Sequence, residues 1–125
     1  MPTPFATNLL TSKQIAGKDP KVTFGHALMG DAAEDVNLQY VRIEPGFTGG
    51  LHYHVHSENV YLVLAGTLTV VVDGTTYELN ENDLVFVPKG SHHSASNYGT
   101  VAVECVEIYS PPKSGDDSHP VVSPA

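Results

Sequence analysis

The chain has 125 residues, which suits one domain with one hydrophobic core, and its 41% of hydrophobic residues argues against global disorder. Its 6 Lys and Arg residues against 14 Asp and Glu residues give a net charge of −8, which argues against nucleic acid or an anionic membrane as the main partner. The sequence has no apolar run long enough to cross a bilayer and no charged-then-apolar leader, so we expect a cytoplasmic location.

Short apolar runs separated by turn residues follow one another along the chain. They predict strands at 36–43, 59–64, 67–72, 75–79, 84–87 and 101–109. Asp73 and Gly74, between two of these runs, suit a tight hairpin turn. No long amphipathic helical stretch is present, so the pattern indicates an antiparallel sandwich or a small barrel.

The two ends of the chain are less regular. Residues 1–33 are expected to form an arm that covers a barrel edge or exchanges with a partner subunit, and residues 111–125 a flexible surface tail rich in Pro, Ser and Asp. We therefore predict a single domain over 1–125 with its barrel at about 34–110. Cys105 is the only cysteine, which excludes an internal disulfide, and we expect it to be an apolar core residue.

Two histidine-rich segments carry the residues with metal-binding chemistry. In a strand, residues two apart share a face, so His52 and His54 would point the same way. Glu58 could close the site with an anionic oxygen, and His93 would arrive from the second segment. Three imidazoles and one carboxylate suit Fe, Mn, Co, Ni or Zn and leave positions open for water or substrate.

These residues follow the two motifs of the cupin family, which the chain resembles. The first motif is Gly, five residues, His-x-His, three or four residues, Glu, six residues and Gly, carried here by Gly46, His52, His54, Glu58 and Gly66. The second is Gly, five residues, Pro-x-Gly, two residues, His, three residues and Asn, and it is matched by Pro88, Gly90, His93 and Asn97, with Asn82 in place of the first glycine. The resemblance implies an all-β fold, a double-stranded β-helix (jelly-roll) barrel, with one divalent metal ion (Fe, Mn, Ni or Zn) near its open mouth. It also implies a homodimer.

The spacing after the first motif's acidic residue departs from the family pattern. Seven residues rather than six separate Glu58 from Gly66, so counting back from Gly66 puts Asn59 at the acidic position. Either a bulge lets Glu58 reach the metal, or Asn59 faces inward and the carboxylate ligand is lost. We favour Glu58, because four neutral ligands would hold a divalent ion less firmly.

Several neighbouring residues have open roles. His56 would lie on the same strand face as His52 and His54, so it is a candidate substitute ligand, pocket residue or surface residue. We also nominate His56 as the catalytic base, with a tyrosine as the alternative. His92 is expected to point away from the metal, and Asn97 to brace its loop. Tyr40, Tyr53 and Tyr61 are expected to be mainly structural.

The resemblance does not fix the reaction, because one fold serves many chemistries. Our first hypothesis is a metal-dependent enzyme of the dioxygenase, isomerase or lyase type that acts on a small oxygenated or carbohydrate-like compound. The alternative is a non-enzymatic cupin that binds or senses a small molecule or a metal. Either way, the expected partner is a small molecule.

Overall fold

A computed structural model describes residues 3–10, 14–25 and 27–122. Parts of the predicted arm (residues 1–2, 11–13 and 26) and of the predicted tail (residues 123–125) lie outside the described residues. In the described ranges, no helix is long and apolar enough to span a membrane. The strands of these ranges are β1 (Gln14–Ala16), β2 (Val22–Gly25), β3 (Asn37–Ile43), β4 (His52–Tyr53), β5 (Glu58–Ala65), β6 (Leu68–Val72), β7 (Thr75–Leu79), β8 (Leu84–Val87), β9 (His93–Ser96), β10 (Val103–Ser110) and β11 (His119–Pro120).

The strands form two antiparallel sheets that enclose one core. The first sheet has the order β1-β2-β3-β10-β5-β8 and the second has the order β11-β4-β9-β6-β7. Successive strands such as β4 and β5, or β9 and β10, therefore lie in different sheets. Two facing antiparallel sheets with such crossovers form a jelly roll, so the predicted all-β fold class is confirmed.

Within the predicted barrel, residues 34–110, the strands that the sequence misses are β4 and β9, which carry His52 and His93. The six predicted strands are confirmed as β3, β5, β6, β7, β8 and β10, with ends within two residues of the predicted ones. By contrast, β4 has only two residues and β9 has four, and both lie in polar segments. Neither offers the run of alternating apolar residues from which a strand is predicted.

Left-handed backbone occurs where the sequence predicts it. Asp73 and Gly74, which join β6 to β7, have φ angles of 46° and 85°. Positive φ at two successive residues is the geometry of a type I′ hairpin turn. Asn82, which replaces the first glycine of the second motif, has a φ of 72°, a conformation that Asn tolerates better than most residues.

The apolar core lies between the two sheets and includes Cys105, as predicted. Its buried members are Val22, Val41, Ile43, Tyr61, Val63, Leu68, Val70, Leu79, Val85, Val87, Val103 and Cys105. On the inner face of β3, β10 and β5, the residues that lie side by side change from apolar to polar along the strands. Cys105 stands between two valines, whereas two residues later Glu107 stands between Gln39 and Tyr61. The apolar core therefore gives way to a polar row at one end of the barrel.

Both ends of the described chain pair with the barrel. Strands β1 and β2 extend the first sheet beyond β3, which is one of the alternatives left open for the arm. At the other end, β11 pairs with β4, with His119 opposite Tyr53. Asp117 is buried just before β11. Residues 117–120 therefore differ from the expected surface tail, because they form part of the wall of the second sheet.

Candidate metal centre

Three histidines converge at the polar end of the barrel. His52 of β4 stands directly opposite His93 of β9, and His54 follows β4. The ring centroids lie 4.3 Å apart for His52 and His93, 5.0 Å for His54 and His93, and 5.2 Å for His52 and His54. One ring nitrogen from each residue lies within 4.8 Å of the other two. The structure thus brings together three of the four residues predicted as ligands, which we call the three-histidine cluster.

The hydrogen bonds of the cluster fix which nitrogen of each ring is free. Nδ1 lies 2.9 Å from the carbonyl oxygen of Gly50 for His52, 2.6 Å from that of Asp117 for His54, and 2.9 Å from that of Ser91 for His93. A carbonyl oxygen only accepts hydrogen bonds, so each ring carries its proton on Nδ1 and keeps a lone pair on Nε2.

The free nitrogens fit a metal ion. Nε2 of His54 and Nε2 of His93 are buried and have no hydrogen-bond partner. Buried polar atoms without partners are costly and uncommon. A cation between the rings would satisfy both atoms, and imidazole nitrogen is a ligand that divalent transition metals accept readily.

Burial keeps two of the rings neutral. It lowers the pKa of His93 to about 4, although the carbonyl of Ser91 opposes the shift. Burial also lowers the pKa of His54, although the hydrogen bond to the carbonyl of Asp117 opposes the shift, and the positive charge of Lys113 adds to the lowering. Because a protonated imidazole cannot bind a metal, both rings are in the binding form at neutral pH.

Asp117 positions His54, which lies beyond the end of β4. The carbonyl oxygen of Asp117 accepts the His54 hydrogen bond, and its carboxylate accepts the backbone N–H groups of Val55 at 2.7 Å and His56 at 3.0 Å. Strand alternation alone therefore does not orient the His54 side chain. Its ring is aimed by a residue 63 positions away in sequence.

Glu58 does not join the cluster, contrary to our preferred prediction. Its side chain is exposed at the start of β5, whereas Asn59 is only 1% exposed. The alternative in which Asn59 faces inward is the observed one. Strand alternation explains this, because Asn59 shares the inner face of β5 with the buried Tyr61 and Val63.

The other histidines named from the sequence lie outside the cluster. His56 is exposed and is not among the residues that line the cavity beside the cluster. His92 is exposed, and its ring stacks on Tyr53 at 5.2 Å on the side away from the metal site, as expected. Asn97 is buried and donates to the carbonyl oxygens of Ile43 and Val101, which agrees with its predicted role as a loop brace.

An open cavity of about 630 Å³ adjoins the cluster. His52 and His54 belong to its lining, together with a set of polar and charged residues: Lys18, Asp19, Gln39, Tyr61, Glu107, Tyr109 and Lys113. Its volume lies in the range that takes a small-molecule ligand. Of the three tyrosines named from the sequence, only Tyr61 is part of this lining.

Glu107 is a buried, cavity-lining carboxyl group that the two motifs do not include. It is 8% exposed, and its Oε2 accepts hydrogen bonds from the hydroxyl of Tyr109 at 2.8 Å and from Nε2 of Gln39 at 3.1 Å. Burial raises the pKa of its carboxyl group, whereas these hydrogen bonds lower it in part. The sequence does offer one indication of it. Glu107 lies two residues after Cys105 and four after Val103, so strand alternation puts all three on the inner face of β10.

Comparison with known proteins gives matches to one domain family. The family model described as "Cupin domain" matches residues 39–109. Mannose-1-phosphate guanylyltransferase of Klebsiella pneumoniae is 35% identical over 81 residues, which is 65% of this chain and 17% of that protein. The chain thus spans about a sixth of the length of this curated relative.

Solved structures share the fold at low sequence identity. The polyketide cyclase RemF of Streptomyces resistomycificus has a TM-score of 0.79 and 17% identity, over 98% of this chain and 88% of that chain. A nucleoside dehydratase from Streptomyces has a TM-score of 0.71 and 18% identity, over 95% of this chain and 91% of that chain.

The family match extends from β3 into β10 and covers more than half of the chain. All three histidines of the cluster and Glu107 lie within it. With the jelly roll and both motifs in place, the chain belongs to the cupin family.

Proposed function

We propose that this protein is a metal-dependent enzyme of the lyase or isomerase type that acts on a small oxygenated compound. The observation that carries the proposal is the buried carboxylate of Glu107 in the same cavity as the three-histidine cluster. A proton acceptor and a metal-binding set that share one cavity suit reactions in which a proton moves beside a polarised oxygen. A nucleoside dehydratase and a polyketide cyclase among the similar structures support this type of chemistry.

His52, His54 and His93 would hold one divalent transition metal ion through their Nε2 atoms. When bound, the ion supplies Lewis acidity to an oxygen of the substrate. Three imidazoles accept Fe, Mn, Ni or Zn, so availability selects the metal. With Glu58 exposed, the proposed ligands are three neutral imidazoles, and the remaining coordination positions of the ion are left to water or substrate.

Glu107 would accept a proton from the substrate and return it later in the reaction. Burial raises the pKa of its carboxyl group, which makes the carboxylate a stronger proton acceptor. Tyr109 and Gln39 both donate to Oε2 and so hold the carboxylate in place. We assign the substrate proton to the other oxygen, Oε1. This role replaces the one first considered for His56, which is exposed.

A substrate screen with matched variants tests the proposal. Candidate diketones, flavonols and unsaturated sugar acids are incubated with the metal-loaded protein, and product formation and oxygen uptake are followed together. We expect turnover without oxygen uptake. Glu107→Gln is expected to lower kcat by about 100-fold or more while retaining the bound metal, and His93→Ala to abolish turnover. Glu104→Gln is the matched control, since Glu104 lies on the outer face of β10, where Tyr40 donates to it.

Other outcomes would contradict the proposal. Turnover that consumes oxygen would indicate a dioxygenase. Tight binding without product across the panel would indicate the alternative, a cupin that binds or senses a small molecule. If Glu107→Gln and Glu104→Gln keep the same kcat, Glu107 is not the proton acceptor.

The homodimer and the cytoplasmic location are also proposals. Exposed apolar side chains on the edge strand β8, Leu84 and Phe86, support a homodimer, because an uncovered apolar edge favours pairing with a second copy. The cytoplasmic location rests on the sequence alone.

A further inference from the structure

Two lysines line the cavity of a strongly acidic protein. The chain has 6 Lys and Arg residues against 14 Asp and Glu, yet Lys18 and Lys113 both belong to the lining of this one cavity. Lys18 lies between β1 and β2, and Lys113 follows β10. The acidic groups of the same lining are Asp19 and Glu107, so the cavity is balanced in charge while the rest of the chain is strongly negative.

Neither lysine is neutralised by a neighbouring carboxylate. Among the described residues, no carboxylate oxygen lies within 4.0 Å of the ammonium group of Lys18 or Lys113. Asp19 instead accepts a hydrogen bond from the backbone N–H of Lys21. Within the described part of the chain, the one hydrogen bond of Lys113 Nζ is long, at 3.5 Å to the carbonyl oxygen of Ser114. Both ammonium groups are therefore available to a ligand.

Lys113 lies beside the metal-binding end of the cavity. Its Nζ is 5.9 Å from the ring centroid of Tyr109, and that ring is 5.6 Å from the ring of His54. Burial is the main cause of the lowered pKa of His54, and the positive charge of Lys113 contributes to it. The Tyr109 ring is therefore a near neighbour of both groups, and Lys113, Tyr109 and His54 line the same cavity.

We infer that the substrate carries an anionic group, a carboxylate or a phosphate, that Lys113 binds with the help of Lys18. The rest of the molecule then faces the three-histidine cluster and Glu107. A cavity of about 630 Å³ suits a compound of monosaccharide size. This inference rests on the proposed function, because it concerns the ligand of the same site.

Calorimetric titration with matched ligands tests it. The probes are galacturonate, galactose 6-phosphate and neutral galactose, titrated into the metal-loaded protein at low and high salt. We expect at least one anion to bind about tenfold more tightly than galactose, and the advantage to shrink at high salt. The two anions separate a carboxylate preference from a phosphate preference. Lys113→Met should remove most of this advantage and Lys18→Met part of it, whereas Lys89→Met, an exposed lysine outside the cavity lining, should leave it unchanged.

The inference is wrong if neither anion binds more tightly than galactose, or if Lys89→Met weakens binding as much as Lys113→Met. Because the readout is binding, it is separate from turnover. Lysine-dependent binding without turnover of any compound would contradict the proposed enzyme and leave this inference standing. Turnover that is unaffected by Lys113→Met would contradict this inference and leave the proposed enzyme standing.

Discussion

At the scale of single residues, one position on β5 decides which side chain faces the barrel interior. Glu58 and Asn59 are neighbours, so only one of them can share the inner face with Tyr61. The chain does have the kind of irregularity that would let Glu58 turn inward. It lies opposite Glu104 and Cys105, however, at the other end of β5. Alternation from Asn59 to Val63 is thus undisturbed.

The histidine cluster gives a direct prediction for metal content. His52→Ala and His93→Ala should each lose most of the bound metal, because each removes one of three converging Nε2 atoms. His92→Ala should retain it, since that ring stacks on Tyr53 outside the cluster. Elemental analysis of the purified variants measures the metal-to-protein ratio, and equal ratios in all three would contradict the assignment.

At the scale of elements, the segment before β11 acts on the site from a distance. Asp117 lies in a part of the chain whose composition predicts a surface tail, yet it accepts three hydrogen bonds from residues 54–56. The segment around it supplies Lys113, Gly115 and Ser118 to the cavity lining. One short stretch thus orients a proposed metal ligand and forms a wall of the cavity.

Removing the Asp117 carboxylate should therefore weaken metal binding without removing any ligand. Asp117→Ala leaves two partly buried backbone N–H groups without their acceptor and loosens the turn that carries His54. We expect the Kd for Zn²⁺ or Mn²⁺ to rise about tenfold and the free energy of unfolding to fall by about 2 kcal/mol.

The neighbouring Asp116 is exposed and offers a matched control. Calorimetric metal titration and urea unfolding of Asp117→Ala and Asp116→Ala measure both effects. Equal metal affinity in the two variants would mean that Asp117 does not position His54.

At the scale of the whole molecule, the two sheets make different contributions to one cavity. The second sheet holds two side chains of the three-histidine cluster, His52 and His93, on β4 and β9. The first sheet holds Glu107 and Tyr109, on β10. The ligands and the proposed proton acceptor thus stand on opposite walls, with room between them for a substrate.

Burial of the cluster in this fold makes stability depend on pH. The pKa of His93 falls from its ordinary value of 6.5 to about 4 in the folded chain. As the pH falls through this window, the unfolded chain takes up a proton that the folded protein excludes, so the free energy of unfolding decreases. The loss from this residue reaches about 3 kcal/mol by pH 4, and it is absent above pH 6.5.

Urea unfolding of the metal-free protein at pH 7 and pH 5 checks this dependence. His93→Gln should lose less stability than the wild type between the two values, because Gln does not titrate. The other groups near the ring, His52, His54 and Asp73, are present in both proteins, so their effects cancel in the comparison. An equal loss in both proteins would contradict the low pKa of His93.

How much the sequence predicts differs between the barrel and the site. The six predicted strands follow from their apolar residues, and the turns at Asp73 and Asn82 follow from local backbone preference. Both signals involve residues close together in the chain. The two short strands β4 and β9 carry no such signal, because pairing with distant segments holds them in place.

The site shows the same division. Residue type and motif spacing alone identified His52, His54 and His93, since few patterns place three imidazoles in this way. Only the tertiary structure decided that Asn59 rather than Glu58 faces inward, that Asp117 aims His54, and that Glu107 opens onto the cavity. Each of these depends on strand register or on contacts across 50 or more residues of chain, as in the 63-residue separation of His54 and Asp117. Local sequence determines which side chains are available, and the packing of the two sheets determines which of them meet.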